Sequence, residues 1–154
     1  MKYRVLGKER LKVSAIGYGC PPFQGKLNDA DERQAIAVLH RAIDIGVNFI
    51  DTAPAYWYSE DFIGSGISHR RGEYILATKV GEHCDREGSY YDYCATATGE
   101  FIDRSLKRLQ TDVVDLIQIH SASIEVLEQG DTWSAMDSAR QAGNHRRIRI
   151  DAGV

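Results

Sequence analysis

The chain has 154 residues, 43% of them hydrophobic and 27% charged, with 19 basic against 22 acidic side chains for a formal net charge of -3. That balance excludes a disordered or fibrous chain and gives no electrostatic reason to bind nucleic acid or an anionic membrane surface. The length predicts a single domain over 1–154, yet it is little more than half of the roughly 250 residues that a closed eight-fold β/α barrel needs.

The opening segment carries Lys2 and Arg4 and lacks the apolar run of a signal peptide, and no stretch of about 18 uncharged apolar residues occurs. A soluble, cytoplasmic protein is expected. Cys20, Cys84 and Cys94 leave one thiol over under any disulfide scheme and form no C-x-x-C pair, which fits a reducing compartment. His83 beside Cys84, with Cys94 ten positions on, offers soft ligands. A structural zinc site draws on four ligands in two tight pairs, so three ordinary thiols and no metal are expected.

Taken in chain order, Tyr3–Leu6 and Leu11–Ser14 read as a β-hairpin around the polar turn Gly7–Arg10, and Ala15–Cys20 as a short strand ended by Pro21 and Pro22. Asp29, with Glu32 three positions later, marks a helix N-cap. Ile36, Leu39 and Ile43 then repeat at helical spacing until Gly46 stops the run. Val47–Asp51 reads as a strand, and Ser59 opens a second helix through Ile67, weakened by Gly64 and Gly66. Tyr74–Val80 is the next strand, stopped by Gly81. A polar, tyrosine-rich loop is expected from Glu82 to about Ala97.

Thr98–Leu109 presents Phe101, Ile102, Leu106 and Leu109 on one helical face, Val113–His120 is a strand, and Asp131 caps a helix that Gly143 ends. Strands alternating with helices predict parallel β/α units: a partial (β/α)8 barrel of about four units after an N-terminal hairpin. The segment 144–154 differs in kind, a divergent basic tail in which Arg146, Arg147 and Arg149 surround Ile148 and make a poor buried strand.

Three of these strands end in an ionisable residue: Asp51, Lys79 and His120. In parallel β/α architectures the carboxyl ends of the strands form the active-site face. Strand alternation puts Asp51 on a face with Phe49, Lys79 with Ala77 and Ile75, and His120 with Gln118 and Leu116, so the three polar groups converge if those faces point inward. Tyr56, five residues after Asp51, can hang over the same mouth. A phenol is a poor acid, with an ordinary pKa of about 10, but a neighbouring ammonium favours the phenolate and an aspartate can hold that ammonium in place. With His120 orienting a carbonyl oxygen, the set suits protonation of that oxygen while its carbon receives hydride from a cofactor. Singly, each residue has an ordinary reading as a turn former, a solvated lysine or a structural histidine. Four compatible groups at strand ends are harder to assign that way.

The run Gly46-Val47-Asn48-Phe49-Ile50-Asp51-Thr52-Ala53-Pro54-Ala55-Tyr56, followed by Ser59-Glu60, resembles the signature of the aldo-keto reductase family, whose hallmark is an aspartate, four residues and a tyrosine. Tyr74–Gly81 resembles the family's lysine strand, Ser105–Asp112 with Asp115–His120 its histidine strand, and Leu6-Gly7 through Gly17-Tyr18-Gly19 its opening hairpin and first barrel strand. The resemblance runs from about Tyr3 to Gly143. It implies Tyr56 as proton donor, Lys79 and Asp51 as the pair that tunes it, and His120 as the residue that orients the substrate. Gly19 and Cys20, with Asp51, stand where the family lines the nicotinamide ribose. Cys20 replaces the usual threonine, and Trp57 stands where the family usually has glycine.

The implied activity is NADP(H)-dependent reduction of aldehydes or ketones to alcohols, with a small carbonyl compound as substrate. The family binds the adenosine end of NADP(H) through later strands that have no counterpart in the sequence, so weak NADPH binding by this chain alone is expected. A frameshift or truncation at about Asn144 is one expectation for the tail. Exposed edges of a four-stranded parallel sheet invite pairing with a second copy, so a homodimer through those edges is one expectation, with aggregation or a partly disordered edge equally physical. Two other classes remain open on the residues: a Schiff-base enzyme using Lys79, and a non-catalytic half-barrel that binds a small molecule or partner.

Overall fold

The computed structural model describes residues 1–7, 10–21, 28–85 and 88–141. The tail from Asn144, and the stop expected at Gly143, lie outside these residues. In chain order the elements are β1 (Tyr3–Leu6), β2 (Leu11–Ser14), β3 (Tyr18–Gly19), α1 (Asp29–Asp44), β4 (Phe49–Asp51), α2 (Ser59–Ile67), β5 (Ile75–Val80), β6 (Glu82–Asp85), β7 (Gly88–Tyr91), α3 (Ala95–Arg108), β8 (Leu116–Ile119), α4 (Ile124–Gln129) and α5 (Asp131–Gln141).

Strands β3, β4, β5 and β8 form one parallel sheet in that order, each followed by at least one helix, so the fold is α/β and has the succession of a partial (β/α)8 barrel. The register aligns Gly19 with Asp51, Asp51 with Ala77, and Lys79 with Gln118. One face of the sheet packs against the helices. Ile50, Leu76, Val80 and Ile117 meet Ile63 and Ile67 of α2, and Phe101 and Ile102 of α3, in one buried cluster. Burying a Leu, Ile or Val side chain of this kind stabilises the fold by about 1.5–3 kcal/mol, which makes the layer the principal source of stability.

The β1/β2 hairpin is tied to the entry of β4 by Asn48. Its side-chain oxygen accepts from the Ser14 amide at 2.6 Å and its side-chain amide donates to the Lys12 carbonyl at 2.8 Å, so the polar turn before the strand leaves no amide group idle. Arg71 closes the entry of the next pair. It donates to the carbonyls of Val113 and Tyr74 and pairs with Asp115 at 2.6 Å, while that carboxylate accepts from the Leu76 amide.

Several boundaries differ from the sequence reading. Helix α1 is capped by Asn28, whose side chain accepts from the amides of Ala30 and Asp31 while Asp31 returns the bond to the Asn28 amide. Adjacent Asn and Asp are equally competent caps, and the capping box here uses Asp31, not Glu32. Ser59 starts α2 but does not cap it; its hydroxyl is engaged with Thr52 instead. The segment expected as a long loop folds as the antiparallel β6/β7 ribbon, and α3 begins at Ala95, capped by the Cys94 sulfur, three residues before the expected Thr98. The short helix α4 was not expected at all.

Candidate active site

Alternation along β5 divides its side chains. Leu76, Thr78 and Val80 face the helices, while Ile75, Ala77 and Lys79 face the other way. The same parity puts Asp51 of β4 and His120, just past β8, on the Lys79 side. The ammonium of Lys79 donates to Asp51 Oδ2 at 2.7 Å and to the Thr52 carbonyl at 2.9 Å, and it lies 4.9 Å from the centroid of the Tyr56 ring. Tyr56 sits in a single 3-10 turn, Pro54–Tyr56, which Pro54 starts with its fixed φ. Its ring meets that of His120 edge to face, centroids 5.7 Å apart. The four residues singled out from the sequence are therefore one contiguous group at the carboxyl ends of three parallel strands.

His120 is held from several directions. Its amide donates to the Val80 carbonyl and its carbonyl accepts from the Tyr93 hydroxyl at 2.8 Å. Nδ1 lies 2.8 Å from Oε2 of Glu82, an ion-pair contact oblique to the N–H direction and so not an in-line hydrogen bond. Burial pushes the imidazole pKa down, and Lys79 adds to that, against the opposing pull of Glu82 and Asp51. Glu82 falls in a stretch that reads as loop in the sequence and opens β6 in the structure. The available signal was an acid directly after the glycine that ends the lysine strand.

Gly19 and Cys20 border Asp51. The Cys20 amide donates to the Asp51 carbonyl at 2.8 Å, and a Cβ built on Gly19, which pairs with Asp51 in the sheet, would meet no atom of the described residues within 4 Å. The Cys20 thiol is buried, and burial pushes its pKa up to about 12 against the pull of a hydrogen bond from Ser59. It is thus an inert packing group. Trp57 has φ 54° and ψ -109°, the left-handed side of the map that glycine tolerates, and its buried indole nitrogen has no hydrogen-bond partner. Its carbonyl accepts from Arg108.

Two observations bear on a bound nicotinamide cofactor. Asp51 Oδ1 is buried without a hydrogen-bond partner, which fits an acceptor reserved for a hydroxyl, and Gln118 Oε1 on the same sheet face is likewise unpartnered. The residues present fit the reacting end of such a group. His83, Cys84 and Cys94 do not form a metal centre: alternation sends His83 and Cys84 to opposite faces of β6, and Cys94 is occupied at the α3 N-cap. Among the described residues no three His, Cys, Asp or Glu side chains gather as a metal ion would require, and no helix is long and apolar enough to cross a membrane.

Comparison with known proteins places this geometry. The profile described as the aldo/keto reductase family matches residues 15–150. The chain belongs to that family. It is 36% identical over 157 residues to L-galactose dehydrogenase of Arabidopsis thaliana, an alignment covering 97% of this chain and 48% of that protein. The aldo-keto reductase AKR11C1 of Bacillus halodurans, in its holo form, superposes with a TM-score of 0.81 at 33% identity, covering 97% of this chain and 50% of that one. An aldo-keto reductase from Klebsiella pneumoniae solved in complex with NADPH superposes with a TM-score of 0.73 at 27% identity, covering 97% and 50%. The chain spans about half the length of the curated relatives it matches.

Proposed function

We propose that this chain carries the reacting half of a nicotinamide-dependent carbonyl reductase, with Tyr56 as proton donor to an aldehyde or ketone. The observation that carries the reading is the unbroken contact from Asp51 through Lys79 and Tyr56 to His120. NADP(H) is the cofactor proposed, in keeping with the NADPH-bound relative. When bound, it supplies hydride to the carbonyl carbon. The Tyr56 hydroxyl passes its proton to the carbonyl oxygen as that oxygen becomes an alkoxide, which completes the alcohol. Lys79 then faces the phenolate left behind and stabilises it by charge, Asp51 holds the ammonium in place, and solvent returns a proton to the oxygen. His120 orients the carbonyl by a hydrogen bond.

Lys79 as a Schiff-base nucleophile is less well supported, because its nitrogen is already engaged in hydrogen bonds to Asp51 and Thr52. A half-barrel that only binds a small molecule or partner would use the unpartnered Asp51 oxygen but gives no role to the Lys79 ammonium against the Tyr56 ring. The partner proposed is a second copy of the chain, joined through the edges that β3 and β8 present in this sheet, and the location proposed is the cytoplasm.

The test is NADPH oxidation by the purified chain with a simple aldehyde, alongside fluorescence titration of NADPH and mass in solution. The expected result is weak binding, turnover by a dimer, and its loss in Tyr56→Phe. Turnover unaffected by Tyr56→Phe overturns the assignment of the proton donor. Trapping of a carbonyl compound on Lys79 by borohydride favours the Schiff-base reading instead.

A further inference from the structure

We propose that Glu82 is a positioning residue for His120, fixing the ring by its Nδ1 edge and placing beside it a counter-charge that favours the imidazolium. The role deepens the carbonyl-reductase reading and rests on it for its use, but the contact itself stands on geometry. Oε2 of Glu82 approaches Nδ1 to 2.8 Å, with both side chains largely withdrawn from solvent at 12% and 16% exposed. The other carboxylate oxygen accepts from the Tyr91 hydroxyl at 3.2 Å, so the carboxylate is fixed at both ends.

The β6/β7 ribbon serves as the mount. Gly81, at φ +98°, turns the chain out of β5, and a Cβ there would lie 2.3 Å from the Tyr93 ring. Only glycine permits that packing. Tyr93 in turn donates to the His120 carbonyl and accepts, through its own carbonyl, from Thr132 of α5. Glu82 of the ribbon, steadied by Tyr91, and Tyr93 just after it thus reach His120 from a segment that is otherwise exposed on β7. The charged and titratable groups facing His120 are Glu82 from β6, Lys79 from β5 and Asp51 from β4, with the Tyr56 ring against it. Lys79 opposes a second positive charge and Asp51 already serves Lys79, which leaves Glu82 as the carboxylate free to serve the histidine.

The chemical consequence concerns the tautomer. A carboxylate oxygen against Nδ1 favours a proton on Nδ1, so the neutral ring has a bare Nε2 and can only accept there. A carbonyl oxygen needs a donor. With the proton on Nδ1, Nε2 carries one only when the ring is doubly protonated, a state that burial and Lys79 oppose and that Glu82, with Asp51, favours.

The experiment is a pH titration of the full chain by histidine side-chain NMR, with the His120 signals assigned by their loss in His120→Asn. In the unmodified protein the neutral ring is expected to be protonated at Nδ1. In Glu82→Gln the His120 midpoint is expected to fall by about one pH unit or more, the usual effect of losing a close opposite charge. A neutral ring protonated at Nε2, or a midpoint unmoved in folded Glu82→Gln, overturns the proposal. Should Glu82→Gln fail to fold, the tautomer in the unmodified protein decides alone. None of these readings depends on turnover, so a chain that reduces no aldehyde fails the functional reading and leaves this one standing or falling by itself.

Discussion

The buried carboxyl of Glu60 accepts a hydrogen bond of 2.7 Å from the hydroxyl of Thr78, on the helix-facing side of the strand whose next residue is Lys79. The other carboxyl oxygen lies 3.2 Å from Arg108. A polar pillar therefore stands behind the site, joining α2, β5 and the end of α3 through a layer that is otherwise apolar. Burial pushes the Glu60 carboxyl up from the ordinary range, and Arg108 and Thr78 only partly counter it.

The sign of its pH dependence follows. A raised folded-state pKa means that the folded chain holds the proton more tightly than the unfolded one. The associated stability is complete below the ordinary glutamate range and is lost as pH rises through the raised value. Gln in place of Glu60 cannot titrate. The stability of Glu60→Gln relative to the unmodified chain should therefore improve steadily from acid to neutral pH, as read from urea midpoints across that range. A difference that stays flat or runs the other way means that Arg108 holds the carboxylate ionised.

The pair of Lys79 and Asp51 makes a second prediction. With 12% and 28% of their side chains exposed, the two charges are only partly screened by solvent. Lys79→Met leaves a carboxylate with neither oxygen paired and should destabilise by about 2–3 kcal/mol, whereas Asp51→Asn keeps an acceptor for the ammonium and should cost about 1 kcal/mol. Combining the two should cost less than their sum. Additive losses in denaturant unfolding would show that the pair contributes nothing as a pair.

Trp57 makes a third. A tryptophan at φ 54°, ψ -109° stores backbone strain of about 1–3 kcal/mol and buries an indole N–H without a partner. Trp57→Gly removes both costs and gives up half-buried indole packing, so the variant is expected to match or exceed the parent in stability by up to about 1 kcal/mol, unlike the loss of about 3–5 kcal/mol normal for a core tryptophan. A loss in that larger range, measured by thermal unfolding, would show that the indole is a core group.

The site residues were legible in the sequence because Asp51, Lys79 and His120 each lie at or next to the end of a β-rich run, where parity and the parallel order leave a single face for them. The ribbon was not legible, since all of β7 is exposed and Gly88-Ser89-Tyr90-Tyr91 shows no apolar alternation. Glu82 was lost with it. Helix α4 was missed for a similar reason: Ile124 and Leu127 are exposed, and no residue of that helix is buried. Gly64 and Gly66 were read as weak points of α2 on propensity, where tertiary contact decides their meaning.

That contact supports the final prediction. A Cβ on Gly64 would lie 2.1 Å from the carbonyl oxygen of Arg108 and 3.0 Å from the Leu109 carbonyl carbon, both backbone atoms at the end of α3. Neither can move without displacing a helix. A Cβ on Gly66 would lie 2.8 Å from the two γ carbons of Ile36, a side chain on α1. Ile is stiff at χ1, but a small shift of the side chain is cheaper than moving a backbone. Alanine returns up to about 1 kcal/mol of helix propensity at either position. Gly64→Ala is therefore expected to lose about 2 kcal/mol or more, a fall of roughly 4–8 °C in Tm, while Gly66→Ala stays within about 1 kcal/mol of the parent. Thermal unfolding of the two variants side by side checks the order. Equal shifts would mean that α2 does not approach the end of α3 so closely that position 64 must be glycine.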